Sequence, residues 1–502
     1  MKSIKNILFI LIALTTLSCE KWLDVKPTSE LDISDLFSSE NGYAEALSGI
    51  YANLTKPELY GRELTWGTLD VIAGVYYPSI SGEYASILSY MYKRKNSDYD
   101  SNASKIIDNI WINMYKQIAN LNSILETIDN NKLIFTEDNY NIIKGEALGL
   151  RAFLHFELLK MFGTSFADQT TVNELTIPYV TELSTLVTPI VTREIALNFI
   201  IEDLKIAKEL LKNDPLRLRK TPNPVLAPVP VGPYTAQGVT AWHNRRFAFN
   251  YYASVATLAR AYLWKGDKSN ALTYAKEVIE VQSTNFPWAL DANISAIGTT
   301  KMNQDKTFAT EHIFSLNIKK INDYMQGFCY FGSSSWVYSS LAPFAYYSYG
   351  NVFEGSTDYR QLYLSTSYQG TKYCNKYYQV PDVYSFFQER VPLIRVSEMY
   401  YIASECETDL NQARIYLDAV RSHRGLSSMA LSNSISRETL NNEIKKEYQK
   451  EFIGEGQIWY YIKRKNLDLT DYFISSEFNI YYFNNKNQFV FDRPDDEDGN
   501  RK

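Results

Sequence analysis

The segment from Phe247 to Val281, FAFNYYASVATLARAYLWKGDKSNALTYAKEVIEV, carries two helical patterns in succession. Tyr251, Val255, Leu258, Ala259 and Tyr262 recur at helical spacing, Gly266 and Asp267 interrupt them, and Ala271, Tyr274, Ala275, Val278 and Ile279 resume the pattern. An apolar stripe that stops at a glycine and restarts after a capping residue predicts a helical hairpin.

The small alanines fall where two helices would touch, and a unit of about 34 residues is the length of a tetratricopeptide-like repeat. Such a hairpin cannot bury its apolar stripe alone and needs neighbours of its own kind. Similar patterns occur in Ala44–Leu54, Ile106–Ile128, Ile142–Phe162, Ile195–Leu211, Val396–Val420 and Ile444–Ile462. The fold class expected is therefore mainly α: a tetratricopeptide-like scaffold of helical hairpins carrying long irregular loops. Those loops are predicted near residues 56–102, 213–245 and 283–390, outside the helix stack. The second holds Pro215, Pro222, Pro224, Pro228, Pro230 and Pro233, six of the sixteen prolines, and is read as an extended surface flap.

Composition narrows the function. The chain has 502 residues, 45% of them hydrophobic, enough for a large core and too many for disorder. Lys and Arg number 51 against 57 Asp and Glu, and no long basic run is present to neutralise a row of phosphates, so nucleic acid is not an expected partner. Tyr, Phe and Trp number 39, 25 and 8, against only four His and four Cys, so rings outnumber metal- and thiol-type groups. Cys329, Cys374 and Cys406 have neither a disulfide ladder's nor a zinc site's spacing; one bridge is open to them, and core packing is expected.

The first residues set the address. Lys2 and Lys5 precede the apolar run Ile7–Leu14, followed by Ser18 and Cys19, the layout of a bacterial secretion signal. The run is far short of the roughly 20 apolar residues that span a bilayer. A cysteine at the cleavage point resembles a lipoprotein signal, although Thr16 stands where leucine is usual and Leu17 lies one step nearer. On this reading residues 1–18 are removed, Cys19 is acylated, and 19–502 form one domain held by lipid, since two or three acyl chains anchor stably where one does not. Losing Lys2 and Lys5 with no acid makes the exported chain more acidic still.

Several motifs then match one family in order. Cys19-Glu20-Lys21-Trp22-Leu23-Asp24-Val25-Lys26-Pro27 and the helix with Tyr43, Ala46, Leu47, Gly49 and Tyr51 resemble the start of mature SusD/RagB lipoproteins of Bacteroidota. Arg151-Ala152-Phe153-Leu154-His155-Phe156-Glu157-Leu158, ending at Phe162-Gly163, resembles the family's arginine-alanine-aromatic helix, with His155 and Phe162 in place of tyrosines. Arg395, Glu398, Tyr400 and Glu405 resemble its late helix, and Leu417, Val420, Arg421 and Gly425 the next, with His423 replacing an arginine. Glu447, Glu451, Phe452, Glu455, Gly456, Trp459 and Arg464 resemble its closing helix, where Tyr448 and Ile458 replace common arginines. Charged residues at such places on helices are read as buried scaffold pairs, not ligand groups.

The resemblance implies a nutrient-binding lipoprotein on the outer face of the outer membrane. It would bind oligosaccharide or polysaccharide as the lid of a partner SusC-like TonB-dependent transporter. The alternative within the family is a peptide-capturing RagB-like component; a surface glycoside hydrolase is a third reading. No enzyme kit is visible: there is no phosphate loop, HExxH or G-x-S-x-G, and His155, His243, His312 and His423 are scattered. No cofactor is expected, and the acidic tail Asp492, Asp495, Asp496, Glu497 and Asp498 lacks calcium-loop spacing and reads as solvated.

Sugar binding has a chemistry of its own. A pyranose offers an apolar C–H face and a hydroxyl edge, so its site needs flat rings and polar groups on irregular loops. Residues 324–384 hold thirteen of the 39 tyrosines, and a second group with Trp66, Tyr76, Tyr77 and Tyr84 follows the first helix. The ligand rings expected are Trp66, Tyr76, Tyr77, Tyr330, Trp336 and Tyr338. Each ring covering about 100 Å² at about 25 cal/mol per Å² contributes roughly 2.5 kcal/mol before ordering costs, so two or three give weak, releasable binding.

Overall fold

The computed structural model describes residues 33–76, 84, 86–87, 101–218, 245–296, 304–325, 352–353, 357–368, 371–379, 387–467 and 490–499. Its long helices in chain order are α1 (Glu40–Leu54), α2 (Ser101–Ile128), α3 (Asn139–Phe162), α4 (Arg193–Leu210), α5 (Tyr251–Lys265), α6 (Lys268–Ile279), α7 (Val396–Cys406), α8 (Leu410–Arg421), α9 (Arg437–Glu451) and α10 (Gln457–Lys465).

The hairpin read from residues 247–281 is α5 and α6, and its ends show why the sequence folds there. Asn250 caps α5 by accepting the Ala253 N–H at 2.9 Å. Gly266 ends it in the left-handed region, φ +87°, which costs a residue with a Cβ extra energy. Asp267 then caps α6 by accepting the Asn270 N–H at 3.0 Å. Every residue of α5 from Tyr251 to Trp264 is buried, whereas α6 buries only Ala271, Ala275 and Val278, one narrow stripe. So α5 is a central helix and α6 an outer one.

From α2 to α8 each helix packs against the next in the chain, the arrangement of stacked helical hairpins. Close approach is possible at Gly149 of α3, where a Cβ would stand 2.2 Å from the Phe249 ring. Two predicted helical stretches are divided. Val396–Val420 breaks at Glu407–Asp409, where Asp409 accepts the Gln412 N–H and starts α8; Ile444–Ile462 breaks at Gly454 and Gly456, both at positive φ, between α9 and α10.

Strands occur in the described part of the 283–390 stretch and also between α3 and α4, outside the predicted irregular stretches. Antiparallel pairs join β1 (Leu175–Pro178) to β2 (Ile190–Thr192), β3 (His312–Asn317) to β6 (Arg390–Arg395), and β4 (Ser365–Tyr368) to β5 (Thr371–Cys374). Strand β6 runs directly into α7, with Arg395 as the junction, so a strand paired within the 283–390 region is fixed to the helix stack. One connected hydrophobic cluster runs from Phe37 to Phe491. Cys374 and Cys406 are buried; Cys329 and Cys19 lie outside the described residues.

Candidate functional site

The early ring segment is folded inward. Residues 57–67 form successive turns closed by backbone bonds such as Leu64 N–H to Leu59 O and Gly67 N–H to Arg62 O. Glu63 in these turns accepts from the Thr68 N–H and hydroxyl and from the Tyr84 hydroxyl. The short helix Thr68–Ile72 follows, and its Asp70 accepts the Gly454 and Gly456 N–H groups at 2.6 and 3.0 Å, fastening this segment to the start of α10. Burial drives the Asp70 carboxyl well above its ordinary range against the pull of those two donors.

Trp66 is consequently 0% exposed, with its ring 4.9 Å from that of Tyr377. This corrects the expectation that Trp66 offers a face to ligand: in sequence it stands among non-helical residues, as a loop ring would, but the turns wrap onto the scaffold and make it core. Tyr76 is 4% exposed and likewise belongs to the core cluster. Tyr77, Tyr330, Trp336 and Tyr338 lie outside the described residues.

The motif residues on the late helices meet as a buried ionic lattice. Arg395 pairs with Glu451 and, at 2.7 Å, with Glu455; Arg424 pairs with Glu311 at 2.6 Å and Glu451 at 2.7 Å; Arg360 pairs with Asp358 and Glu447 at 2.7 Å. Burial alone would push the Glu451 carboxyl up, but Arg424 and Arg395 hold it well below the usual range. With side chains 0–3% exposed, these groups join the loops and α9 as structure and offer no ligand surface.

Histidine 155 is equally structural. Its Nε2 accepts the Val180 N–H at 3.0 Å, which leaves the proton on Nδ1 for the Arg151 carbonyl, and its ring stacks on Tyr179 at 4.1 Å. Burial lowers its pKa to about 3.

The described residues do form one open cleft of about 800 Å³ at the start of α2. Trp111, Tyr115, Pro178 and Val180 supply its apolar lining, and Leu186 and Val187 its rim, at 81% and 54% exposure. The Trp111 and Tyr115 ring centroids are 4.7 Å apart, and the Tyr115 hydroxyl donates to the Pro178 carbonyl at 2.9 Å. Asp108 of α2 and Asp495 and Asp496 of the short C-terminal helix Asp495–Gly499 also line it. The Asp108 carboxyl is raised first by partial burial and then by those two like charges. Of the acidic tail, Asp495 and Asp496 are exposed and Asp492 and Glu497 half-buried, and Asp495, Asp496 and Glu497 line the cavity. Sequence reasoning missed this place because Asp108, Trp111 and Tyr115 follow helical spacing (i, i+3, i+7), which reads as an ordinary core stripe.

Consecutively packed helical hairpins with long insertions define a helical-repeat binding scaffold. Two family models match the chain: one described as starch-binding, associating with the outer membrane, over residues 21–227, and one described as the SusD family, over residues 299–502. The chain belongs to the SusD/RagB family. A curated relative, SusD-like protein P25 of Formosa agariphila, is 24% identical over 164 residues, covering 32% of this chain and 31% of that protein. Among solved structures, a SusD superfamily protein from Bacteroides thetaiotaomicron superposes with a TM-score of 0.66 at 20% identity, covering 92% of this chain and 98% of that one. A laminarin-binding SusD-like protein superposes with a TM-score of 0.62 at 17% identity, covering 91% and 97%. The mainly helical, tetratricopeptide-like architecture is thus that of the superfamily. The family is outer-membrane-associated, and among the described residues no helix is long and apolar enough to cross a membrane.

Proposed function

We propose that this protein is a cell-surface lipoprotein that captures oligosaccharide or polysaccharide and passes it, as the lid of a SusC-like TonB-dependent transporter, across the outer membrane. Cys19 carries the acyl anchor, and the ligand is held without being transformed. The observation that carries the reading is membership of a family whose model is described as starch-binding, together with superposition on a laminarin-binding member over 91% of the chain. The ring-rich segments support it: with Trp66 and Tyr76 in the core, the ligand-facing set is proposed to be Tyr77, Tyr330, Trp336 and Tyr338.

The test is gel retardation of the soluble form, residues 20–502, on laminarin and a broad set of other glycans. One or more should slow it, and Trp336→Ala should weaken that binding by about tenfold or more, the loss of a good part of one ring's contribution. Trp66→Phe, a change inside the core, should leave affinity unaltered. No retardation on any glycan, with peptide mixtures binding instead, would defeat the carbohydrate reading.

A further inference from the structure

Two arginines adjacent in sequence meet opposite surroundings. Arg245 and Arg246 lie in the short turn Arg245–Phe247 just before α5. Arg245 pairs with Glu146 and, at 2.8 Å, with Asp214. Arg246 is 7% exposed, yet among the described residues no carboxylate pairs with it: Nη1 donates to the Thr310 carbonyl at 3.2 Å, Nη2 to the Asn285 carbonyl, and Nε to nothing. The Phe286 ring, 5.6 Å from the guanidinium, adds only a weak cation–π attraction. Burial, and after it the like charge of Arg390, lower the Arg246 pKa to about 9. A buried cation held by neutral groups alone is costly unless a counter-charge joins it.

The groups beside Arg246 are of the kind an anion needs. Thr310, whose carbonyl Arg246 holds, has an unpartnered buried hydroxyl, and so has Thr307 three residues earlier. His312, the first residue of β3, belongs to the same neighbourhood. Its Nε2 donates to the Thr307 carbonyl at 2.9 Å, its Nδ1 is unpartnered, and the charges of Arg390, Arg395 and Arg246 add to burial in depressing its pKa. Water alone satisfies hydrogen-bonding groups of both kinds but leaves the guanidinium charge unopposed. A metal ion has the wrong sign. Arg246, Thr307, Thr310 and His312 are all 0–7% exposed, so the missing partner is enclosed and small.

We propose that Arg246 binds a buried halide-sized anion, held by its Nε–H and the Thr310 hydroxyl, with the Thr307 hydroxyl and His312 Nδ1 completing the shell through water. The ion fastens the turn before β3 to the turn before α5. Nothing in this depends on what the ring-bearing loops bind.

Thermal unfolding of residues 20–502 tests it, with sodium chloride replacing sodium gluconate at constant ionic strength. Gluconate is too large for an enclosed single-ion site, and the constant ionic strength removes screening as a variable. The midpoint should rise by about 1–3 °C for each tenfold increase in chloride once the site begins to fill, because an ion that binds only the folded chain stabilises it by mass action. Arg246→Met removes the charge and keeps most of the stem, and its midpoint should not respond to the exchange of salts. A crystal of the parent protein grown in sodium bromide gives a second reading that needs no variant: an anomalous bromide peak within hydrogen-bonding reach of Arg246 Nε is expected. A parent midpoint indifferent to chloride, a chloride response that survives Arg246→Met, or bromide found only at surface positions each overturns the proposal.

Discussion

Glu405→Gln should destabilise the protein by about 3 kcal/mol at neutral pH, and that loss should vanish in acid. Glu405 ends α7 and receives both guanidinium nitrogens of Arg464 on α10, at 2.7 and 2.8 Å, with Lys465 at 3.3 Å. The glutamate side chain is 5% exposed and that of Arg464 11%, so the amide leaves a largely buried cation with half its partner gone. Breaking such a pair typically costs about 3–5 kcal/mol, the lower end applying to a pair this near the surface. Linkage gives a consistent figure. Burial would raise the carboxyl, but Arg464 holds it at about 2 instead of the ordinary 4.5, a difference equivalent to roughly 3 kcal/mol. The folded pKa is depressed, so between these two values the unfolded chain binds more protons than the native one. The contribution is therefore complete above about pH 4.5 and drains away as pH falls toward 2. Urea unfolding of parent and variant at several pH values from about 7 to 3 measures the difference between them, in which other titrating groups cancel. A difference below about 1 kcal/mol at pH 7, or one that does not shrink on acidification, would refute the account.

Three further outcomes are expected. Gly266→Ala should cost about 1–2 kcal/mol in the same urea assay, because the position has φ +87° while a Cβ there meets nothing within 4 Å, which leaves backbone strain as the only penalty. His155 should remain neutral from pH 8 to 5 in an NMR titration; its folded pKa of about 3 lies below the ordinary 6.5, so its contribution to stability is full above 6.5 and falls as pH drops toward 3. Cys19→Ala should release the protein from membranes on fractionation, and unchanged retention would remove the acyl anchor from the proposal.

The helical frame was legible because it is written in local signals. Gly266 and Asp267 mark the break between α5 and α6 in sequence as they do in space, and the apolar spacing on either side of them needs no tertiary information. Breaks inside a continuous pattern were harder: the apolar spacing of Val396–Val420 runs on across the break, and only the family resemblance divided that stretch into two helices, although Asp409 followed three residues later by Gln412 has the spacing of a capping pair. Ring function was least legible. Trp66 and Trp111 differ from a ligand-facing tryptophan only in what other parts of the chain lay over them, Tyr377 in one case and Phe162 in the other. That cover comes from residues far along the sequence, which neither composition nor periodicity reports.

On the proposed function, the same distant contacts bear on how ligand would be held on loops. Loops lose affinity when binding must order them, and that loss grows with every side chain that has to be immobilised. Here the segment leading to the early rings is not left to be ordered by ligand: Asp70 fixes it to Gly454 and Gly456, Glu63 gathers Thr68 and Tyr84, and Trp66 seats it against Tyr377. The late region is tied in turn, since Arg395 at the β6–α7 junction meets Glu451 and Glu455, and Lys376 just after β5 pairs with Glu455 as well. Both fastenings converge on residues 451–456, the turn between α9 and α10. On the proposed function, this turn would anchor the bases of both ring-bearing segments to one rigid point of the helix stack. Asp70→Asn keeps the size of the buried group but weakens two backbone bonds, so it should loosen the early segment first. Faster amide exchange at residues 62–75, with the α5–α6 hairpin unaffected, is the expected result, and uniform exchange across both would mean that the early segment has no stability separate from the stack.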